Sequence, residues 1–257
     1  MGEFCSVEKE GRLTIVTIQR PEVMNSLHPP GNAELAEVFD DFCNDKEQWV
    51  AIITGAGDRA FSAGNDLKYQ ASGGDRSGQP VSGFAGLTSR FDNPKPVIAA
   101  VNGIAMGGGF EIALACDLII AAENAVFALP EPRVGLAALA GGVHRLPREI
   151  GMKRAMGMLL TGRRVSPEEG KELGFVNEVV PEGEALNAAK KWAEQILECA
   201  PLSVRASKQA AYDGMNFGLE EALAGKYEQI RTMVKSQDFI EGPRAFAEKR
   251  PPDWKGE

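Results

Sequence analysis

Val101-Asn102-Gly103-Ile104-Ala105-Met106-Gly107-Gly108-Gly109-Phe110-Glu111-Ile112-Ala113-Leu114-Ala115-Cys116-Asp117 is the stretch on which the fold turns. The apolar run just before it, from Pro96 to Val101, reads as a buried strand. A turn follows, then three glycines, then a short apolar segment with one carboxylate, Glu111, in its first turn. Glycines remove Cβ atoms and let backbone N–H groups lie bare against a ligand. A helix that starts there aims its unpaired amides and positive dipole end at the same spot. Such a place stabilises an oxygen that gains negative charge during a reaction. The same glycines also suit a tight turn with close helix–strand packing, and a glycine cluster alone does not choose between the two.

Outward from this centre, the chain alternates apolar strands with helical segments. Leu13–Ile18 is β-rich and is stopped by Arg20-Pro21. Leu35, Val38, Phe39 and Phe42 fall at helical spacing, giving a helix from about Asn32 to Asn44. Val50–Thr54 is a buried strand, and Ala60–Lys68 a small-residue turn entering a helix. The Gly-, Ser- and Asp-rich run from Ser72 to Gly86 reads as a mobile surface loop, a candidate lid. Leu118–Ala122 is another buried strand, and Asn124–Phe127 begins a short one. In Leu129-Pro130-Glu131-Pro132-Arg133-Val134-Gly135 two prolines fix the direction of Glu131 at low entropic cost. Ser166-Pro167-Glu168-Glu169 carries an N-cap serine, proline at the first helical position and Glu169 at the capping-box position. Gly174–Val180 reads as a late strand, and from Glu184 on the pattern is helical, with breaks at Pro201 and Gly218. The order strand, strand, helix implies stacked ββα turns over 1–200 and a helical region over 201–257; periodicity alone also admits a doubly wound sheet.

With 257 residues the chain can bury a real core. A net charge of −8 excludes the basic footprint of a general nucleic-acid binder, while leaving room for a few local cations around a small acidic ligand. No apolar run is long enough to span a bilayer. Met1–Ser6 lacks the basic-then-apolar order of a secretory signal. Cys5, Cys43, Cys116 and Cys199 are widely spaced, and two histidines, His28 and His144, complete no zinc spacing. A cytoplasmic protein with reduced thiols and no metal is expected. Cys116, in an apolar run, is expected to be a small core residue.

Two carboxylates, Glu111 and Glu131, lie beside features that fix the backbone, in apolar surroundings. Burial raises a carboxyl pKa, so such a pair facing one substrate can hold a water and divide acid and base roles. Taken singly, Glu111 could cap its own helix and Glu131 could pair with Arg133 or Arg145.

Four stretches together resemble the crotonase superfamily, the enoyl-CoA hydratase/isomerase family: Phe61–Leu67, Gly103–Glu111, Pro130–Gly135 and Gly141–Leu146. The likeness runs from about residue 10 to the C-terminus. Val50–Leu67, Gly107–Glu131 and Glu241–Arg250 look most like carnitinyl-CoA dehydratases within it. The resemblance implies an α/β, crotonase (ClpP-like) ββα superhelix with a C-terminal helical region for trimerisation. It implies an acyl-CoA thioester substrate with no separate cofactor, and a homotrimer or homohexamer that binds neither nucleic acid nor membrane. Its oxyanion hole maps to the backbone N–H groups of Ala63 and Gly108, and its two catalytic glutamates to Glu111 and Glu131. Coenzyme A and acyl contacts map to the loop bearing Val23, Asn25 and Leu27, to Lys68 and Lys249, and to Leu139. Asp66 is counted with them, its carboxylate expected to hold its own turn. The chain departs from the family at Leu136–Ala140: Leu139 stands where isomerases, dehalogenases and carnitinyl-CoA dehydratases tend to carry an acid. Leucine cannot transfer a proton, so the two-glutamate hydratase is favoured over a dehydratase or isomerase on another acyl-CoA. A non-catalytic relative binding acyl-CoA or RNA is disfavoured by the presence of both glutamates.

Overall fold

The computed structural model describes residues 2–74 and 79–257. A six-stranded sheet has the order β1-β2-β3-β5-β7-β9, and a three-stranded sheet the order β4-β6-β8. The strands of the large sheet are β1 (Cys5–Glu10), β2 (Leu13–Ile18), β3 (Val50–Gly55), β5 (Val97–Val101), β7 (Leu118–Ala122) and β9 (Glu178–Val180). Those of the small sheet are β4 (Ala60–Ser62), β6 (Ile104–Met106) and β8 (Val126–Ala128).

The two orders decide between the spiral and the doubly wound sheet. The consecutive pairs β3–β4, β5–β6 and β7–β8 each give one strand to the large sheet and the next to the small one. In both sheets these strands pair in parallel with their counterparts from the neighbouring turn. The chain therefore climbs as stacked ββα turns. Helix α1 (Pro29–Asn44) carries the chain from β2 to its parallel partner β3. Helices α2 (Leu67–Ala71) and α3 (Gly108–Ala115) close the first two turns of the spiral.

Both faces of the large sheet are covered, which is why its strands read as continuous apolar runs. Val16, Ile18, Ile53 and Ala99 join Phe39 of α1 and Phe110 of α3 in one buried cluster. Alternate residues Leu13, Ile15, Ile52, Ile98 and Ile120 meet Ala185, Ala189 and Ala193 of α7 (Ala185–Leu197) on the other face. Phe110, Phe127 and Phe175 interlock at centroid distances of 5.0–5.2 Å and support α3 from below. Trp49, Trp192 and Trp254 each spend the indole N–H on an acceptor within the chain, the Lys46 carbonyl, the Glu178 carboxylate and the Glu198 carbonyl, as packing residues do. Cys116 is buried, with its thiol turned to the Ile112 carbonyl.

Five elements differ from their sequence expectation. Helix α1 begins at Pro29, because prolines at the first two helical positions donate no N–H that the helix would have to satisfy. The charged strand β1 is held by antiparallel pairing with β2 and by Glu34, which accepts from the Phe4 and Cys5 amides. Strand β9 is only Glu178–Val180, since Gly174 takes a left-handed cap at the end of α6 (Pro167–Leu173) and turns the chain. Ser166 does cap α6 through the Glu169 N–H, but the Glu169 carboxylate pairs with Arg163 instead of completing a capping box. The proposed lid over Ser72–Gly86 lies partly outside the described residues. Its end, Phe84–Gly86, is a 3-10 turn with Ala85 and Gly86 buried, so that part is packed structure and not a loose loop.

Candidate active site

The site forms where the two sheets' turns meet. Gly107 caps α3 with φ 55°, a left-handed value that suits glycine. A Cβ there would also lie 3.1 Å from Glu131 Oε1. Gly108 opens the helix, so its N–H has no intrahelical acceptor. The loop after β4 presses against the same point: a Cβ on Gly64 (φ 84°) would sit 2.6 Å from the Gly108 nitrogen. Ser62 Oγ steadies that loop, donating to the Asn25 carbonyl and accepting from the Gly64 N–H. The two glycine-bearing loops thus converge, as expected from Phe61–Leu67 and Gly103–Glu111.

Glu111 lies one turn into α3 and is buried. Its Oε1 accepts a hydrogen bond from the Gly142 N–H at 2.9 Å, at the start of α4 (Gly142–Ile150). Burial, assisted by the charge of Glu131, pushes its pKa up to about 7, while the Gly142 amide and Arg145 oppose the rise. Glu131 opens the 3-10 turn Glu131–Val134. Burial raises its pKa as well, and its Oε2 is buried without a hydrogen-bond partner. Among the described residues neither glutamate forms a salt bridge, so the pairing of Glu131 with Arg133 or Arg145 does not occur; Arg133 instead donates to the Thr161 carbonyl. Glu111 makes no cap for its own helix; its carboxylate is tied to the next element. Two acids raised toward neutrality, beside a bare amide at a helix start, can exchange protons next to a stabilised oxyanion.

The remaining expected residues divide. Ala63 is where the motif puts it, but its N–H donates to the Met24 carbonyl at 2.9 Å, so the expectation of a bare amide is corrected. Met24 and Asn25 hold left-handed backbone (φ 58° and 53°), which turns that carbonyl inward. Asn25 is not available as a ligand contact: it is buried, accepts from the Arg20 N–H and donates to the Ala56 and Ala60 carbonyls. Leu27 is fully buried, a core residue and not a pocket wall. Asp66 Oδ1 caps α2 through the Tyr69 N–H and Oδ2 pairs with Arg20 at 3.1 Å; it holds its turn. Val23 ends the 3-10 turn Pro21–Val23 and remains partly accessible beside these residues. Lys68 is exposed on α2. Leu139 is 78% exposed, on the stretch that leads to Gly142. Lys249 ends α11 (Asp238–Glu248) in left-handed conformation. The segment after it returns to Glu198 through Trp254 and to Trp49 and Pro201 through Gly256, and among the described residues no hydrogen bond or salt bridge ties Lys249 to Glu111 or Glu131. Missed by sequence reasoning were Met24, Gly142 and Phe84. Gly141-Gly142 was visible as a motif, but its amide's role was not; Phe84 was hidden in a stretch of loop-like composition.

The enoyl-CoA hydratase/isomerase family model matches residues 8–257. The chain belongs to the enoyl-CoA hydratase/isomerase family. It is 44% identical, over the whole of both chains, to carnitinyl-CoA dehydratase of Escherichia coli K12. Among solved structures, enoyl-CoA hydratase from Mycobacterium tuberculosis H37Rv superposes with a TM-score of 0.92 at 38% identity, covering all of both chains. A carnitinyl-CoA hydratase from Mycobacterium avium, 41% identical with full coverage of both chains, gives a TM-score of 0.79. These likenesses agree with the crotonase-type ββα superhelix expected from the motifs. Among the described residues no His, Cys, Asp and Glu group could hold a metal, and no helix is long and apolar enough to cross a membrane.

Proposed function

We propose that this member of the enoyl-CoA hydratase/isomerase family hydrates 2-enoyl-CoA thioesters reversibly to 3-hydroxyacyl-CoA, as a hydro-lyase using no cofactor beyond the CoA of its substrate. The observation that carries this reading is the pair Glu111 and Glu131, each raised in pKa by burial, flanking the glycines at the start of α3. The thioester oxygen takes the Gly108 N–H. The Ala63 N–H is held by the Met24 carbonyl and is not counted as a donor. The Glu111 carboxylate removes a proton from water as the water oxygen bonds to C3. The C2=C3 π electrons move toward C1, forming an enolate whose charge rests at the Gly108 amide. Protonated Glu131 delivers its proton to C2, on the same face, so addition is syn. Glu111 ends protonated and Glu131 ionised; a proton passing between them restores the start. Losing one oxyanion donor costs ~3 kcal/mol of barrier stabilisation, and general acid–base transfer adds about 10²–10⁴-fold.

Val23 and Lys68 lie at the CoA side of the site, and Lys249 would reach a CoA phosphate only from a neighbouring copy. Leu139 is an apolar wall that suits an apolar tail. The chain acts as a homotrimer or homohexamer in the cytoplasm, where its four separated thiols stay reduced. Exposed Leu219, Leu223, Ile240 and Phe246 on the C-terminal helices support the assembly.

Dehydration of carnitinyl-CoA is a second reading, favoured by the 44% identity to a carnitinyl-CoA dehydratase. Leu139 weighs against it, because it presents no charge or hydrogen-bonding group to a polar tail. A panel of 2-enoyl-CoA thioesters from four to ten carbons, followed by loss of conjugated absorbance, separates the two. Turnover of the apolar series supports the hydratase. Turnover confined to the γ-trimethylammonium substrate replaces it with the dehydratase, and no turnover at all removes both.

A further inference from the structure

Gly108 has ordinary helical geometry, so backbone strain does not explain why it is glycine. A Cβ on Gly108 would lie 2.6 Å from Phe84 Cε1 and 2.9 Å from Phe84 Cζ. The ring of Phe84 therefore occupies the space beside the amide that receives the thioester oxygen. It is held there by unusual means. Phe84 N–H donates to Thr88 Oγ1 at 2.8 Å, and Thr88 is buried. The next residue, Ala85, is fully buried in left-handed conformation (φ 54°, ψ 18°), which is costly for a residue with a Cβ. Its N–H is taken by Oδ1 of Asn32, also fully buried, at 2.7 Å. Gly86 follows with φ 68°, packed so closely on α1 that a Cβ would collide with the Ala36 backbone. A strained turn whose amides are tied to buried side chains presents one aromatic ring to the oxyanion amide. Strain of this kind persists only where surrounding structure over-determines it.

We propose that Phe84 is the specificity-determining residue of the acyl pocket: its ring, locked by the Asn32–Ala85 turn against Gly108, forms a rigid wall that admits slim, short apolar acyl chains and resists longer or branched ones. The ring has no hydrogen-bonding edge for the amides of pantetheine, so it faces the acyl side. Asn32 is a positioning residue that acts through the turn. This inference rests on the hydratase reading for the identity of its substrate but not for its test.

The experiment uses the full chain with Phe84→Ala and Phe84→Leu, each checked by thermal melting for a native transition. Binding of saturated four-, six-, eight- and ten-carbon acyl-CoA thioesters is measured by calorimetry, and kcat/KM for the matching 2-enoyl-CoA series by absorbance. Phe84→Ala is expected to raise the eight-carbon over four-carbon preference by about tenfold in both series, since a methylene-sized change in an apolar pocket is worth roughly 10–200-fold; Phe84→Leu gives a smaller shift in the same direction. An unchanged chain-length profile in a folded variant overturns the proposal, as does a uniform loss at every length, which would put the ring on the CoA side. An inactive wild-type enzyme whose binding profile still shifts with Phe84 would overturn the hydratase reading alone.

Discussion

Glu111 carries two opposed demands, and its environment shows how they are met. Its side chain is buried and receives one backbone hydrogen bond, yet its pKa is pushed from 4.5 to about 7. The folded state thus holds the Glu111 proton more tightly than the unfolded chain. Stability falls as pH rises from 4.5 through 7, and above 7 the full penalty is present. At 1.36 kcal/mol per unit this penalty is at most ~3 kcal/mol. Glu111→Gln keeps an acceptor for the Gly142 amide and removes the charge. It is expected to raise Tm at pH 8 while leaving Tm at pH 4.5 nearly unchanged, and to cut kcat by about 10²–10⁴-fold. Equal melting shifts at both pH values would mean that the buried charge is not the cause. For the wild type, kcat/KM for hydration should change as pH passes through about 7, where Glu111 ionises, and because the raised Glu131 is coupled to it the limbs of the profile belong to the pair. Sequence made both acids legible, because one stood in a glycine-led helix and the other between prolines. It also anticipated that Asp66 holds its own turn, but it could not show that the Ala63 amide is engaged by Met24, or that Asn25 and Leu27 are consumed by structure. Those outcomes depend on where a left-handed carbonyl and an arginine arrive in space.

At the scale of elements, α3 and the loop after β4 act as one unit. Gly109 sits so tightly on the Ser62 carbonyl that any Cβ would collide with it, and Ser62 also steadies Gly64. Gly109→Ala must therefore push α3 off β4. A destabilisation of ~3 kcal/mol or more is expected from overpacking against immovable backbone. Urea denaturation measures it; a loss below ~1 kcal/mol would show that the two elements are not locked. Central strands were readable as unbroken apolar runs because both faces of the large sheet are covered. Strand β1 and the Phe84–Gly86 turn were not readable. The first is charged and exists through pairing with β2; the second has loop-like composition and is ordered by the nearby Thr88 and by Asn32, which is distant in sequence.

For the whole molecule, the ββα spiral brings the segments after β4, β6 and β8 to one place, and the alternation of strands between two sheets is what allows this. Periodicity fitted a doubly wound sheet equally well; only the pairing of alternate strands distinguishes the two. The C-terminal helices leave Leu219 and Leu223 about 80% exposed, a surface that a second copy would cover. Sedimentation should give a trimer or hexamer, and Leu223→Glu should shift it toward monomer; a wild-type monomer would contradict the assembly and leave Lys249 without a role at the CoA. The most direct test of the central claim is hydration of crotonyl-CoA in D2O, followed by NMR of the 3-hydroxybutyryl-CoA formed. One deuterium at C2, delivered to a single face by the wild type and lost with turnover in Glu131→Gln, is the expected result. Undiminished single-face deuteration by Glu131→Gln, or no product from the wild type, would contradict the account.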